Sequence, residues 1–449
     1  MSYVPNSSVE QQEMLRSVGA ETFEDLLTSV PKDVRLQRPL NLPAALPEPD
    51  LKRLLQGMAE LNADLDHYPS FLGAGSYDHA VPSVVPHLVK RSEFYTSYTP
   101  YQPEFSQGML QAIYEYQTIV CQITGMDVAN ASLYDGSTAV VEATLLAVGP
   151  SGRGEVLVSH ALDPQYRATL RTYAWSRGFT VREVGLEDGV TSASELESAL
   201  GPETRAVIVQ QPNFLGALED VRSIERLVHQ TGALYIVAVT EPASLGVLAA
   251  PGSYGADIVA GEGQCLGSPL GYGGPALGLF ATRADYLRRL PGRLVGRTVD
   301  DRGQDGYVLT LQTREQHIRR ERATSNICTN QALLALALTV HLAALGKAGF
   351  RELGELCVRK AHYAYERIRT VPGFEPLFGR PFFDEFAMKT PMPVEELNAA
   401  LRERGILGGY DLGLAYPELG DAELFGVTET RTREDIDTLV ATLEEIVNS

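Results

Sequence analysis

The run Phe94-Tyr95-Thr96-Ser97-Tyr98-Thr99-Pro100-Tyr101-Gln102-Pro103-Glu104 sets three phenols, an amide and a carboxylate along one short stretch stiffened by two prolines. Proline fixes φ and removes a backbone donor, so the run suits neither a helix interior nor a central strand. Tyr and Glu presenting donors and acceptors from a rigid frame would suit the wall of a pocket; a structural loop packing its rings on a core has the same composition. Gly136-Ser137-Thr138 opens a helical pattern, where unpaired amides and the positive dipole end favour a phosphate. Ordinary N-capping uses the same residues. His160 follows the apolar run Val156–Ser159 and Glu241 follows Leu234–Val239, both at the carboxyl edge where open α/β sheets bind ligands. A histidine there can stack on a ring or polarise a group, and a carboxylate can pair with a protonated ring nitrogen; a plain loop histidine and a solvated loop acid are the alternatives. Arg322-Ala323-Thr324-Ser325-Asn326-Ile327 offers small hydrogen-bonding groups before an apolar helix, as an anion site or a capping cluster.

The elements that must position these groups follow from spacing. Ser7-Ser8-Val9-Glu10 has the capping-box pattern and starts a short helix, with another over Thr22–Ser29. Pro39, Pro43, Pro47 and Pro49 predict an extended arm that wraps another surface or tethers loosely. Gln107–Thr124 is helical with Gly125 as its stop, and a second helix runs from Asp135 to Val148. From Glu155 short apolar strands alternate with amphipathic helices: strands 156–159, 179–184, 206–210 and 234–239, helices 164–177, 192–200 and 224–230. That alternation predicts a parallel sheet covered on both faces. A strand over Ala276–Thr282 follows the turn Gly271-Tyr272-Gly273-Gly274-Pro275. Beyond Gly346 the pattern changes to two helices, a strand near Phe383–Ala387, a helix over Pro393–Arg404 and a last helix from Arg433, which predicts a smaller α+β domain. The expected division is 1–64 for the N-terminal helices and Pro-rich arm, 65–345 for the large α/β domain and 346–449 for the small one.

Composition narrows the classes. The chain has 449 residues, 44% of them hydrophobic, and a formal charge of −19, which argues against nucleic acid or an anionic membrane as partner. The four cysteines form no CxxC pair, so no disulfide framework or metal site is indicated. No signal-peptide pattern opens the chain, and the apolar stretch Ala332–Leu345 is too short to span a bilayer, so a cytoplasmic protein is expected. Only six of the 38 basic residues are lysines, and none lies between Lys90 and Lys347.

Four segments together resemble one family: Phe94–Gly108 (FYTSYTPYQPEFSQG), Gly125–Ala143 with its YDGSTAVVEA, Gly255–Pro275, and ERATSNICTNQA at 321–332. They are similar to the glycine cleavage system P-protein family, and within it to the separately encoded alpha-type (N-terminal-half) subunit. The resemblance extends over nearly the whole chain, from the N-terminal arm to Val427-Thr428-Glu429-Thr430-Arg431. It implies the fold type I architecture of pyridoxal-phosphate (PLP) enzymes. The family's active half holds the aldehyde through a lysine in a run resembling His-Lys-Thr before a Gly-rich turn. With the turns aligned, Gln264 of Gly263-Gln264-Cys265 takes that lysine's place, and an amide cannot do the covalent work of an unprotonated amine. A general Arg-for-Lys bias would have put Arg there.

The resemblance therefore implies the lysine-less half of glycine decarboxylase, inactive alone. Its PLP would be held by a lysine-bearing beta-type partner in an α2β2 assembly that decarboxylates glycine and passes the aminomethyl group to the lipoyl arm of H-protein. Tyr95, Tyr98, Tyr101 and Glu104 would shape the partner's glycine and lipoyl pocket, and Thr324, Ser325 and Asn326 would approach the cofactor phosphate across the interface. Gly136, Ser137, Thr138, His160, Glu241 and Gln264 would be a vestigial cofactor site. Two rivals remain open: a self-sufficient PLP enzyme of aminotransferase or desulfurase type using Lys90 or Lys347, and a non-catalytic scaffold.

Overall fold

The computed structural model describes residues 5–149, 153–323 and 325–449. Two compact units emerge, Met1–Asp64 and Leu65–Ser449. In the first, helix α1 (Ser8–Ser17) opens with the reciprocal cap its sequence spells: the Glu10 amide donates to Ser7 Oγ at 3.3 Å and the Ser7 amide to Glu10 Oε2 at 2.6 Å. The extended arm stops at Pro47, because Glu48–Ala59 forms helix α2. Proline costs nothing in a first helical turn, whose amides have no partner anyway. The spacing Leu51, Leu54, Leu55, Met58 is that of an amphipathic stripe, and all four side chains are exposed.

In the second unit, valine- and alanine-rich segments make a seven-stranded sheet: β1 (Val128–Ala129), β2 (Glu155–Ser159), β3 (Thr180–Val184), β4 (Thr204–Gln210), β5 (Leu234–Val239), β6 (Ile258–Glu262) and β7 (Gly278–Thr282), in the order β1-β7-β6-β5-β4-β2-β3. Only β7 runs against the others. Alternate residues of β4 show why both faces must be covered: Val207 and Val209 enter one apolar layer with Tyr116 and Leu338, while Ala206 and Ile208 enter the other with Val140 and Leu170. Each fully buried Val, Leu or Ile contributes about 1.5–3 kcal/mol, so the layers rather than local propensity hold the sheet.

Helices α3 (Pro103–Thr124) and α4 (Gly136–Val148) bracket β1, and α3 ends where Gly125 adopts φ 70°. Helix α5 (Pro164–Arg177) follows β2, and α6 (Val221–Thr231) precedes β5. The apolar helix read to Leu345 and the helical pattern beyond Gly346 meet in α7 (Ala332–Ile368), two helical segments joined where Gly346 takes a non-helical φ of 62° and ψ of −179°; one helix, not the two expected, follows Gly346. This helix is long and apolar enough to cross a membrane, yet Ala335, Leu338, Leu353 and Cys357 pack in the core. A four-stranded antiparallel sheet follows, Glu375–Pro376, Glu385–Lys389, Ala422–Gly426 and Tyr410–Asp411 in spatial order, with α8 (Val394–Glu403) and α9 (Arg433–Asn448) over Phe386, Met388 and Phe425. Its other face lays Ala387 and Leu424 against Phe214 and Leu215.

Candidate functional site

At the carboxyl edge of the large sheet, α4 begins beside the end of β6, and carboxylates fill the space between them. Asp135 is the N-cap: its oxygens accept the Thr138 amide at 2.8 Å and the Ser137 and Thr138 hydroxyls at 2.7 and 2.8 Å. Of the two readings of Gly136-Ser137-Thr138, the geometry is that of a cap. Glu262, the last residue of β6, takes the rest. Its Oε2 accepts the Gly136 amide at 3.0 Å, and its Oε1 accepts the amides of Leu277 at 2.6, Gln264 at 2.9 and Gly263 at 3.1 Å. Burial raises the Glu262 carboxyl above its usual range against the pull of these donors. Gly136 has no alternative, since a Cβ there would overlap the Tyr166 hydroxyl. The Gln264 amide donates to the carbonyls of Ser268 at 2.5 Å and Pro269 at 3.0 Å, stapling its own loop.

Glu241 is not a solvated acid. It is 1% exposed, accepts the Ala243 amide at 2.7 Å, and faces His79 Nε2 at 3.2 Å. The other ring nitrogen of His79 lies 2.6 Å from Glu429. Burial opposes a charge on this imidazole, but the Glu241 and Glu429 carboxylates outweigh it and hold His79 protonated well above its ordinary range. Around them Asp384 is driven up by burial and by Glu241 and Glu385, while Glu385 is raised to about 7, burial outweighing the Ala74 amide and the Tyr77 hydroxyl that bind it. The Cys265 and Cys357 thiols are close enough to His79 to complete metal-like triads, but both ring nitrogens are already spent on carboxylates. His160 belongs to an ionic cluster, 2.6 Å from Glu183 and edge-on to Tyr416 at 5.2 Å, with Arg167 donating to Glu183 at 2.8 Å.

The tyrosine run leaves its rings outside. Tyr95, Tyr98 and Tyr101 are 65%, 84% and 54% exposed, Glu104 is exposed in the first turn of α3, and only Phe94 packs inward. Thr324 lies outside the described residues. Ser325 is buried, accepts the Ile327 amide at 3.0 Å and bonds Glu142, whose carboxyl burial lifts to about 7. Asn326 is exposed and lines an open cleft with Tyr101, Arg177, His317 and Arg320. One residue that sequence reasoning passed over joins the two segments. The buried Arg293 donates to the Cys328 carbonyl at 2.7 Å and Asn330 Oδ1 at 3.1 Å, and its guanidinium stands 5.5 Å from the Tyr101 ring. Nothing in its local sequence, Gly292-Arg293-Leu294, marks it.

Taken as a cofactor site, the edge does not fit PLP. No lysine ends β6, the Gly136 and Thr138 amides at the helix start serve Glu262 and Asp135, and the acid that could take a ring nitrogen holds His79. Lys360 donates to the Glu429 carbonyl, and Lys347 lines a separate groove with Ile119 and Phe350.

A family model described as "Glycine cleavage system P-protein" matches residues 1–443. The chain is 52% identical over 447 residues to the probable glycine dehydrogenase (decarboxylating) subunit 1 of Moorella thermoacetica, covering 100% of both chains. It is 51% identical over 443 residues to that of Carboxydothermus hydrogenoformans, covering 99% of each. Among solved structures it is similar to an inhibitor-bound glycine decarboxylase (P-protein) of the glycine cleavage system, with a TM-score of 0.91 at 46% identity over 99% of this chain and 100% of that one. A sphingosine-1-phosphate lyase of Burkholderia pseudomallei, at TM-score 0.66 and 15% identity over 93% and 94% of the chains, shares the fold. The fold is type I of the PLP-dependent enzymes, as the resemblance implied.

Proposed function

The chain belongs to the glycine cleavage system P-protein family, and we propose that it is the lysine-less half of a glycine decarboxylase whose working site lies mainly in a partner. The assembled enzyme releases carbon dioxide from glycine and passes the aminomethyl group to the lipoyl arm of H-protein, in the cytoplasm. One observation carries the division of labour: at the end of β6, Gln264 spends its amide on Ser268 and Pro269. PLP, held by a lysine of the beta-type partner, supplies the electron sink.

The exposed phenols of Tyr95, Tyr98 and Tyr101 and the Glu104 carboxylate line the partner's glycine and lipoyl pocket, positioning the substrate and excluding water. Of the run Thr324-Ser325-Asn326, the exposed Asn326 is the residue that approaches the phosphate of the partner's cofactor, since Ser325 is spent on the Ile327 amide and Glu142. The uncovered stripe of α2 and the Pro-rich stretch before it embrace that partner in an α2β2 assembly with an apolar interface of the large obligate class, well above ~2,000 Å². The test is release of labelled carbon dioxide from carboxyl-labelled glycine in the presence of lipoylated H-protein. The chain alone is inert, and the mixture with the lysine-bearing subunit is active. A partner fully active by itself would overturn the shared site. A borohydride-stable PLP adduct on the pure chain would favour the self-sufficient rival that uses Lys90 or Lys347.

A further inference from the structure

We propose that Glu262 is a built-in anion: its carboxylate holds the position a phosphate would take at the start of α4, and the native chain thereby excludes phosphate ligands, PLP included. The inference rests on the reading that this edge descends from a cofactor site, but its physical content concerns only this chain. The donors come from three separate segments, Gly136 at the helix start, Gly263 and Gln264 after β6, and Leu277 before β7, and they converge on the two oxygens of one side chain. Convergence of backbone amides from a helix start and a neighbouring loop is how proteins hold phosphate oxygens. Here the ligand is covalently part of the chain, so its local concentration cannot be competed down by free phosphate. Asp135 takes the Thr138 amide and the Ser137 and Thr138 hydroxyls. An incoming dianion would meet two carboxylates that already hold the Gly136 and Thr138 amides, with only the Ser137 amide of this turn not bonded to either.

The second anchor is taken in the same manner. Glu241, the acid that could meet a protonated ring nitrogen, meets the imidazole of His79. Both ends of a would-be cofactor are thus replaced by side chains of this chain. Restoring a lysine alone, as in Gln264→Lys, therefore leaves the site closed.

Titration of the full-length chain with inorganic phosphate, and separately with PLP, tests this, with the thermal midpoint and the ³¹P line width as readouts and chloride at matched ionic strength as control. The wild type shows no saturable response to either, and neither does Gln264→Lys. Glu262→Ala vacates the position and gains saturable phosphate binding, with the midpoint rising by several degrees. Glu262→Gln keeps the volume but loses the charge and puts a donor against the Gly136 amide, so its phosphate response lies between wild type and Glu262→Ala. Should Glu262→Ala fail to fold, phosphate in the refolding medium rescues it and chloride does not. A wild type that responds to phosphate as strongly as Glu262→Ala overturns the proposal. So does a folded Glu262→Ala that ignores phosphate, or an unfolded one that phosphate fails to rescue. A chain that stays inert with its lysine-bearing partner while these titrations behave as stated would sink the functional reading and leave this one standing.

Discussion

Replacing Arg293 by Ala should uncouple the tyrosine run from the segment 328–330 without unfolding the chain. The guanidinium makes two well-formed bonds, 2.7 Å to the Cys328 carbonyl and 3.1 Å to Asn330, and stands 5.5 Å from the Tyr101 ring. Charge-assisted bonds contribute about 1.5–3 kcal/mol each and an exposed cation–π contact about 0.5–1. Part of that total is desolvation the alanine no longer has to offset, which leaves about 3 kcal/mol of tethering lost. If the proposed pocket must be re-ordered for each turnover, a cost of about 1.5–3 kcal/mol lowers kcat/KM by about 10–100-fold. Arg293→Lys keeps the charge but reaches only one acceptor at a time, so it should fall between the two. The assay is labelled carbon dioxide release by the reconstituted complex, run far below the thermal midpoint so that global destabilisation is not read as lost activity. Limited proteolysis of residues 96–102 serves as the structural readout. A folded Arg293→Ala with activity within twofold of wild type and unchanged proteolysis would refute the reasoning.

Tyr98→Ala, at an 84% exposed ring, should leave the thermal midpoint unchanged while reducing activity of the complex; full activity removes Tyr98 from the site. His79→Gln strands Glu241 and Glu429 without their shared cation and should cost about 3–5 kcal/mol, read by denaturant unfolding. Because the His79 proton is held above the ordinary 6.5, that stabilisation is full below pH 6.5 and disappears as pH rises through the raised folded value; equal losses at low and high pH would contradict the pairing. Glu423, lifted to about 8 by burial with one oxygen bound to the Gly409 amide at 2.6 Å, has the opposite character to a salt-bridged acid. Its protonated form stabilises the fold fully below pH 4.5, and the contribution is lost as pH climbs to about 8. Glu423→Gln should therefore flatten the fall in thermal midpoint between pH 5 and 8, and an unchanged slope would count against it.

What could be read from the sequence was the part governed by local periodicity. The apolar runs at 156–159, 206–210 and 234–239 became strands because alternating Val, Ile and Ala suit a sheet buried on both faces, and Gly125 stopped α3 as a left-handed residue should. Two errors had local causes. Pro47 and Pro49 suggested an arm, although a proline in the first turn is compatible with a helix and the stripe Leu51, Leu54, Leu55, Met58 was there to see. Gly346 does interrupt the helix, at φ 62° and ψ −179°, but one long helix follows it where the changed pattern suggested two. The edge of the sheet was less legible for a different reason. Gln264 could be read by alignment of glycine-rich turns, but the partner of Glu241 is His79 and that of Tyr101 is Arg293, separations at which spacing carries no information.

On the proposed reading, the closed edge also lets a half without the cofactor keep its outer loops in order. The chain before α4 holds the segment that follows the cleft: Asn330 donates to the Ala131 carbonyl at 2.8 Å, the Gln331 amide to Ser132 Oγ at 3.0 Å, and the Cys328 amide to the Tyr134 hydroxyl at 3.1 Å. Residues 130–134 are in turn fixed by the start of α4, which the Gly136–Glu262 bond ties to β6. A bound phosphate would bridge that helix start to the loop after β6, and the carboxylate makes the same bridge permanently. If the bridge were simply lost, four amides would lack acceptors and the helix start would be released, at a cost of about 1–3 kcal/mol per buried donor. On the same reading, absence of the lysine is tolerable because an internal acid stands where the phosphate would. The Arg293 tether and the exposed tyrosines then remain positioned by a frame that needs no cofactor of its own.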